Sequence, residues 1–409
     1  MQKILASILT LICLLLTGCN TKPPANPGTD GVQSAPPSSE LDLKDTIIDH
    51  GSGQFMEFPS RIVYDASGIR YYSKVDGKDY AYCFDPLCEH SDGYCLANFG
   101  NLEMWNWEFM CTFFINNRFY TTNDKGNIIS CAFDGTDMKL EYDSGFEIGV
   151  DNPYTEWALN STACGPYIYI ELRADENGNP HVLRFNTETK EMEDLTEKTG
   201  NFMYPDFFYN GEIYGRDRNR LWVKADMDLV SLEPIEEVPR SDFHYGSRFF
   251  GYERDGGGNR CGVKIHDMKT GESTVIPNSV FGASEGVEIV YVDENYIYYF
   301  HKKWEIYGYV TDSKTGERKP RYRENDGKLY RANHDGTNIV CMYDDPGYEF
   351  SKITSLNGIA VIFDGKILIN GCYKGEIDGV AEIWGQGLRA GTVREDGTID
   401  KLEYVEQLS

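Results

Sequence analysis

The sequence predicts an all-β body: short aromatic strands gathered into four-stranded blades that close into a ring, a β-propeller. Three observations carry this. One phrase, an aromatic strand followed by a loop and a second strand, recurs along most of the chain. The breaks between strands are Asn-Gly, Asp-Gly and Thr-Gly turns. No segment carries a long helical period.

Taken in order, Gly68-Ile69-Arg70-Tyr71-Tyr72 leads to Tyr80–Phe84, and Asn117–Tyr120 leads to Ile128–Phe133. Pro166–Tyr169 leads to His181–Phe185, and Asn210–Tyr214 to Leu221–Val223. Arg248–Phe250 precedes Val263–Ile265, and Asn295–Tyr299 precedes Leu329–Arg331. Gly365–Ile369 precedes Leu388–Ala390. Taking Tyr72, Tyr120, Tyr169, Tyr214, Phe250, Tyr298 and Leu368 as equivalent points, the intervals are 48, 49, 45, 36, 48 and 70 residues. Periods of this length built from short strands read as propeller blades, seven by this count, with six or eight compatible with the same spacing. The longest interval is expected to carry a glycine-rich insert near Gly371–Gly387. An innermost strand should precede each aromatic strand, as at Glu108–Ile115 and Trp157–Ala163.

Upstream of this body, Lys3 precedes an apolar run from Ile4 to Leu16, too short to span a bilayer well. The run ends at Leu16-Thr17-Gly18-Cys19, which resembles a bacterial lipobox. The resemblance implies that residues 1–18 are a lipoprotein signal peptide and that Cys19 is fatty-acylated. Residues 19–45 then read as the lipidated cysteine plus a disordered Pro/Gly/Ser tether, spanning about 25–30 Å as a flexible coil. Residues 46–409 are the propeller domain. The expected location is extracytoplasmic, held to the cell membrane by the N-terminal lipid.

The strand Tyr296–Tyr299 and the phrase Leu-Tyr-Arg-x-x-x-Asp-Gly at Leu329–Gly336 resemble TolB-like and YWTD-like propellers. Over about residues 46–409 the chain resembles propeller lipoproteins of Gram-positive anaerobic bacteria. The YWTD tetrapeptide itself is absent. The resemblance implies a fold and a location rather than an activity, because propellers host many functions.

The formal net charge is −26, and loss of residues 1–18 removes one lysine and no acid, leaving −27. Phosphate backbones require clustered Lys and Arg, so nucleic acid is excluded as a partner class. Of 11 cysteines, Cys13 leaves with the signal and Cys19 is the anchor, so nine remain and at least one is unpaired within the chain. Single cysteines in strand-like segments, such as Cys131 and Cys261, read as small buried apolar residues.

The densest cluster of chemical groups runs from Cys83 to Cys95, spaced C-x4-C-x-H-x4-C. Cys83, Cys88, His90 and Cys95 match a tetrahedral zinc set in composition but not in the usual two-residue spacing. A loop stapled by a disulfide, for instance Cys88 to Cys95, is the alternative and is favoured outside the cytoplasm.

Loops entering the innermost strands should gather at one mouth of the ring. They contain Trp105, Trp107, Tyr154, Trp157, Tyr204, Asp206, Asp242, His244, Phe281, Glu285, Tyr348 and Glu349. Aromatics beside carboxylates suit a glycan or a peptide, and the binding set read from them is Trp105, Trp107, Tyr154, Trp157, Tyr204, Asp206 and His244. A segment from His301 to Asn325 lengthens one blade as a protruding hairpin, and Lys314, Arg318, Lys319, Arg321 and Arg323 make it the one basic patch on an acidic body.

The motifs His-Glu-x-x-His, Gly-x-Ser-x-Gly and Cys-x-x-Cys-His do not occur. The expected function is therefore a surface lipoprotein binding a glycan, peptide or cell-envelope protein without catalysis. A carbohydrate-active hydrolase or lyase working at the propeller mouth is the alternative. A metal-dependent sensor built on the Cys83–Cys95 loop is the third reading.

Overall fold

A computed structural model describes residues 56–58, 60–65, 69–82, 111–122, 127–132, 137–143, 158–172, 181–201, 203–235, 243–312, 314–350, 360–377 and 380–408. The strands pair into seven sheets that succeed one another along the chain, and together they form a seven-bladed β-propeller. The described residues contain a single short helix, α1, at Leu195–Thr199, capped by the Asp194 side chain and ended by Gly200 at φ 66°.

Each blade begins with its innermost strand and builds outward. Blade two shows the pattern: Cys111–Ile115, Arg118–Thr122, Ile128–Ala132 and Lys139–Tyr142 pair antiparallel in that order. The link from first to second strand is often two residues long. Asn116-Asn117, Asn210-Gly211 and Asp364-Gly365 have positive φ at both positions, the primed turn that matches strand twist. Six of the seven landmark residues fall on the second strand of their blade, and Tyr72 falls on the third strand of blade one, whose sheet starts with the short strand Met56–Glu57. All seven are buried, from 0 % to 8 % exposed. Each such side chain contributes roughly 1.5–3 kcal/mol on burial.

Closure of the ring follows from what packs between blades. Phe58 of blade one meets Phe114 and Phe119 of blade two at ring separations of 5.2 and 6.4 Å. Further clusters join blades two and three, three and four, four and five, five and six, and six and seven. The circle ends with Ile62, Tyr64 and Tyr72 of blade one packed among Val361, Phe363, Leu368 and Leu388 of blade seven. A strand completes the join: C-terminal Gln407–Leu408 runs parallel to Asp79–Tyr80 and becomes the outer strand of blade one. This removes a free sheet edge and ties the C-terminal strand to the first blade.

Three details differ from expectation. The 70-residue interval owes its length to the hairpin at residues 302–325, and the Gly371–Gly387 insert lies beyond it as a second extension. Blade seven has a divided inner strand, Tyr348–Phe350 and Ala360–Phe363, both paired to Lys366–Ile377. Cys131 is buried as expected, but Cys261 is exposed. The register skips Cys261 between Glu253↔Gly262 and Arg254↔Arg260, so it sits at a bulge and turns to solvent.

Candidate functional site

Two blades reach beyond the disc. In blade six the second strand, Tyr296–Thr311, continues past the first residue of its inner neighbour and pairs with Arg318–Asn325, forming a first ribbon. In blade seven Lys366–Ile377 does the same with Val380–Thr392, forming a second ribbon. Both extensions leave from the face where innermost strands enter. The ribbons touch: a β-carbon added to buried Gly308 would lie 2.9 Å from Ala381. Arg323 donates to the Lys374 carbonyl at 3.0 Å and to the Pro346 carbonyl, and the Lys374 ammonium sits 5.5 Å from the Tyr307 ring.

The first ribbon has two unlike faces. On one, Ile306 stands opposite Tyr322 and Tyr309 opposite Pro320. Trp304 meets Tyr322 edge to face at 6.0 Å, and the Arg318 guanidinium lies 4.4 Å over Tyr309. This face is open, with Trp304 60 %, Ile306 46 % and Tyr322 43 % exposed. The other face carries Gly308 and Arg323 and leans on the second ribbon. At the tip, Asp312 accepts the Lys314 and Thr315 amides at 2.9 and 3.1 Å, and Lys319 pairs with it at 3.1 Å. Those bonds hold the Asp312 carboxyl below its ordinary range, the Lys314 amide most of all.

Glycines shape the second ribbon. A β-carbon at Gly375 would lie 2.8 Å from the Trp384 indole, and one at Gly371 would lie 2.3 Å from the Tyr348 hydroxyl. Trp384 therefore stacks on Tyr373 at 6.1 Å and 13° while remaining 48 % exposed. Beneath it Arg389 is caged by Tyr348, Tyr373 and Tyr404 at 5.3, 5.2 and 5.9 Å.

Below the ribbons, carboxylates on innermost strands are matched by bases. Glu288 pairs with Lys302 at 3.3 Å and with Arg260, and Glu349 pairs with Lys374 at 2.6 Å. In both, the lysine lies two residues beyond the position opposite the acid. Asp206 and Arg216 approach to 3.8 Å in blade four. Burial pushes the Glu349 carboxyl up against the opposing pull of Lys374. Glu288 and Glu349 thus sit in ion pairs at the base of the ribbons.

Of the sequence-derived binding set, Tyr204 and Asp206 share the innermost strand Met203–Tyr209 of blade four, and His244 lies on Phe243–Tyr245 of blade five. They occupy strands, not loops. Asp206 sits at a bulge between Pro205 and Phe207, and His244 rests against the Phe249 ring at 5.9 Å. Phe281 and Tyr348 are 2 % and 0 % exposed and fill gaps between strands, and Glu285 accepts the Trp304 amide at 3.0 Å. Trp105, Trp107, Tyr154, Trp157 and Asp242 lie outside the described residues, as do Cys19, Cys83, Cys88, His90 and Cys95.

Sequence reading missed two features. The second ribbon's exposed Trp384 and Ile383 were signalled by five glycines set around Tyr373 and Trp384 from Gly371 to Gly387. His181, Asp194 and Glu197 bring ligand atoms within 4.8 Å of one another at blade three. Their signal is the Asp194-x-x-Glu197 capping pattern.

No protein family matches this sequence, and no curated protein does. Solved structures resemble it at low identity. An oligogalacturonate lyase from Vibrio parahaemolyticus is 10 % identical over 87 % of this chain and 93 % of its own, with a TM-score of 0.43. An oligogalacturonate lyase bound to manganese is 14 % identical with a TM-score of 0.33, over 56 % of this chain, which spans 60 % of that protein's length. A TolB-like protein from Agrobacterium tumefaciens is 12 % identical over 58 % of this chain and 76 % of its own, with a TM-score of 0.29. Blade number and closure rest on the strand pairing described above.

Proposed function

We propose that this protein is a membrane-anchored, extracytoplasmic propeller that binds a partner on its two ribbons without turning it over. One observation carries the reading. Large apolar side chains, Trp304, Ile306, Tyr322, Ile383 and Trp384, are 43–60 % exposed on ribbons that are themselves braced. A side chain exposed on a rigid frame loses little entropy when a partner covers it. Aromatic anchors of this kind dominate binding surfaces. The acids nearest the ribbons are engaged by Lys302, Arg260 and Lys374, an arrangement that supports binding over acid–base chemistry. The resemblance of Leu16–Cys19 to a lipobox, with the Pro/Gly/Ser-rich sequence behind it, supports the anchor.

A glycan and peptide array with product detection tests this, using the wild type and a Trp304→Ser/Trp384→Ser variant. The expected result is retention of a partner by the wild type, loss in the variant and no product. A released product would replace this reading with the hydrolase or lyase alternative. Replacing Cys19 with Ser should move the protein from the membrane fraction to the medium, and unchanged membrane retention would remove the lipid anchor.

A further inference from the structure

We infer that the open face of the first ribbon is the docking surface for an acidic protein segment bearing apolar side chains. This rests on the partner-binding reading above and names the partner's chemistry.

Two properties of the ribbon select that chemistry together. The first is charge. Residues 302–325 hold seven Lys/Arg against four Asp/Glu, net +3, on a chain whose total is −26. Lys314 and Arg321 are exposed and have no carboxylate partner among the described residues. An unneutralised basic arm on an acidic body steers an acidic partner to the arm and away from the rest.

The second is the apolar strip. Trp304, Ile306 and Tyr322 form one exposed cluster, with Tyr309 and Pro320 continuing the same face toward the tip. A polyanionic glycan or phosphate polymer would use the cations and the ring faces, but gains nothing from an exposed isoleucine. A protein segment uses all of them: its apolar side chains cover Trp304, Ile306 and Tyr322, and its carboxylates meet Arg318 over the same face and reach the exposed Lys319 and Arg321, which alternate to the other face, around the strand edge. The edge of the strand Arg318–Asn325 carries Pro320 and three exposed cations, which disfavours strand addition. Docking is therefore through side chains on the face. Pairing of two such ribbons from two copies would set like charges against each other.

The test measures binding to the full chain in detergent micelles with three probes. These are a synthetic peptide of Leu and Phe flanked by Glu, poly-L-glutamate, and poly(glycerol phosphate). Three variants accompany the wild type: Trp304→Ser/Tyr322→Ser, Arg318→Ser/Arg321→Ser, and Trp384→Ser on the other ribbon. All five positions are at least partly exposed, so a retained thermal midpoint is expected and checks folding. The apolar acidic peptide should bind tightest. Each first-ribbon double variant should weaken it about tenfold or more, as hot-spot losses do, and the arginine variant should also flatten the salt dependence. Equal binding of poly-L-glutamate or poly(glycerol phosphate) would overturn the inference in favour of a polyanion. Self-association abolished by Trp304→Ser/Tyr322→Ser would overturn it in favour of a second copy. Peptide binding lost only in Trp384→Ser would sink this inference while leaving the partner-binding reading standing. Absence of any partner, on the array as well as here, would sink both.

Discussion

Gly308 on the first ribbon lies directly against Ala381 on the second, with room for no further atom: an added β-carbon would be 2.9 Å from both its Cα and its Cβ. The two blades thus hold their extensions in one fixed arrangement. Gly308→Val should wedge the ribbons apart, cost about 1–3 kcal/mol in urea unfolding, and weaken partner binding. An unchanged unfolding midpoint would mean that the ribbons move independently.

Arg389 is 8 % exposed, caged by three tyrosines, and donates to the Gly385 and Leu402 carbonyls at 3.0 and 3.4 Å. No carboxylate pairs with it among the described residues, so rings and carbonyls alone stabilise the buried cation. A lysine cannot reproduce the planar fork. Arg389→Lys should lower stability by about 1–2 kcal/mol and Arg389→Ala by more, measured by thermal unfolding. Equal stability of the lysine variant would show that charge, not geometry, is what the cage reads.

His334 bridges blades five and six. Its Nε2–H donates to the Asp293 carbonyl at 2.9 Å, its Nδ1 faces the Arg248 guanidinium at 3.2 Å, and its ring meets Phe250 at 4.8 Å. Burial holds the imidazole below its ordinary value of 6.5, with Arg248 adding to the effect and the Asp293 carbonyl opposing it. As pH falls through 6.5 the unfolded chain takes up this proton before the folded one. The contribution to stability is therefore lost on acidification, from the ordinary value down through the folded one. Wild type should lose more stability than His334→Gln over that interval. A histidine titration by NMR at or above 6.5 would contradict this.

The ring closes through its C-terminus. Asp79 donates its amide to the Glu406 carbonyl at 3.0 Å, Lys78 pairs with Glu406 at 2.8 Å, and Val405, 3 % exposed, bonds the Leu388 carbonyl at 3.0 Å. Removing residues 405–409 strips these bonds and bares the outer edge of blade one. We expect a loss of about 2–4 kcal/mol in denaturant unfolding. No loss on truncation would show that inter-blade packing alone holds the circle.

Much of the fold was legible, for a local reason. The landmarks Tyr120 through Leu368 announce second strands, and Tyr72 the third strand of blade one, because aromatic and β-branched residues at period two, bounded by Asn-Gly or Asp-Gly turns, suit one backbone geometry. The protruding hairpin was legible too: strand-forming residues flank Asp312-Ser313-Lys314-Thr315-Gly316, a turn that chain-local bonds close. The site was read less well. Phe281 and Tyr348 have the composition of mouth residues and are buried, because ring type alone does not say whether another blade covers it. The pairing of Glu288 with Lys302 and of Glu349 with Lys374 depends on strand register, which spacing along the chain does not reveal.

By itself the sequence determined the strand type, the blade period, the acidic surface and the basic arm, since each depends on residues close together in the chain. Only the tertiary structure decided that the arm of blade six rests on that of blade seven, that Gly308 and Ala381 share one contact, and that Trp304, Ile306 and Tyr322 remain uncovered. Those outcomes depend on which neighbour the closing ring brings alongside, and that partner lies dozens of residues away.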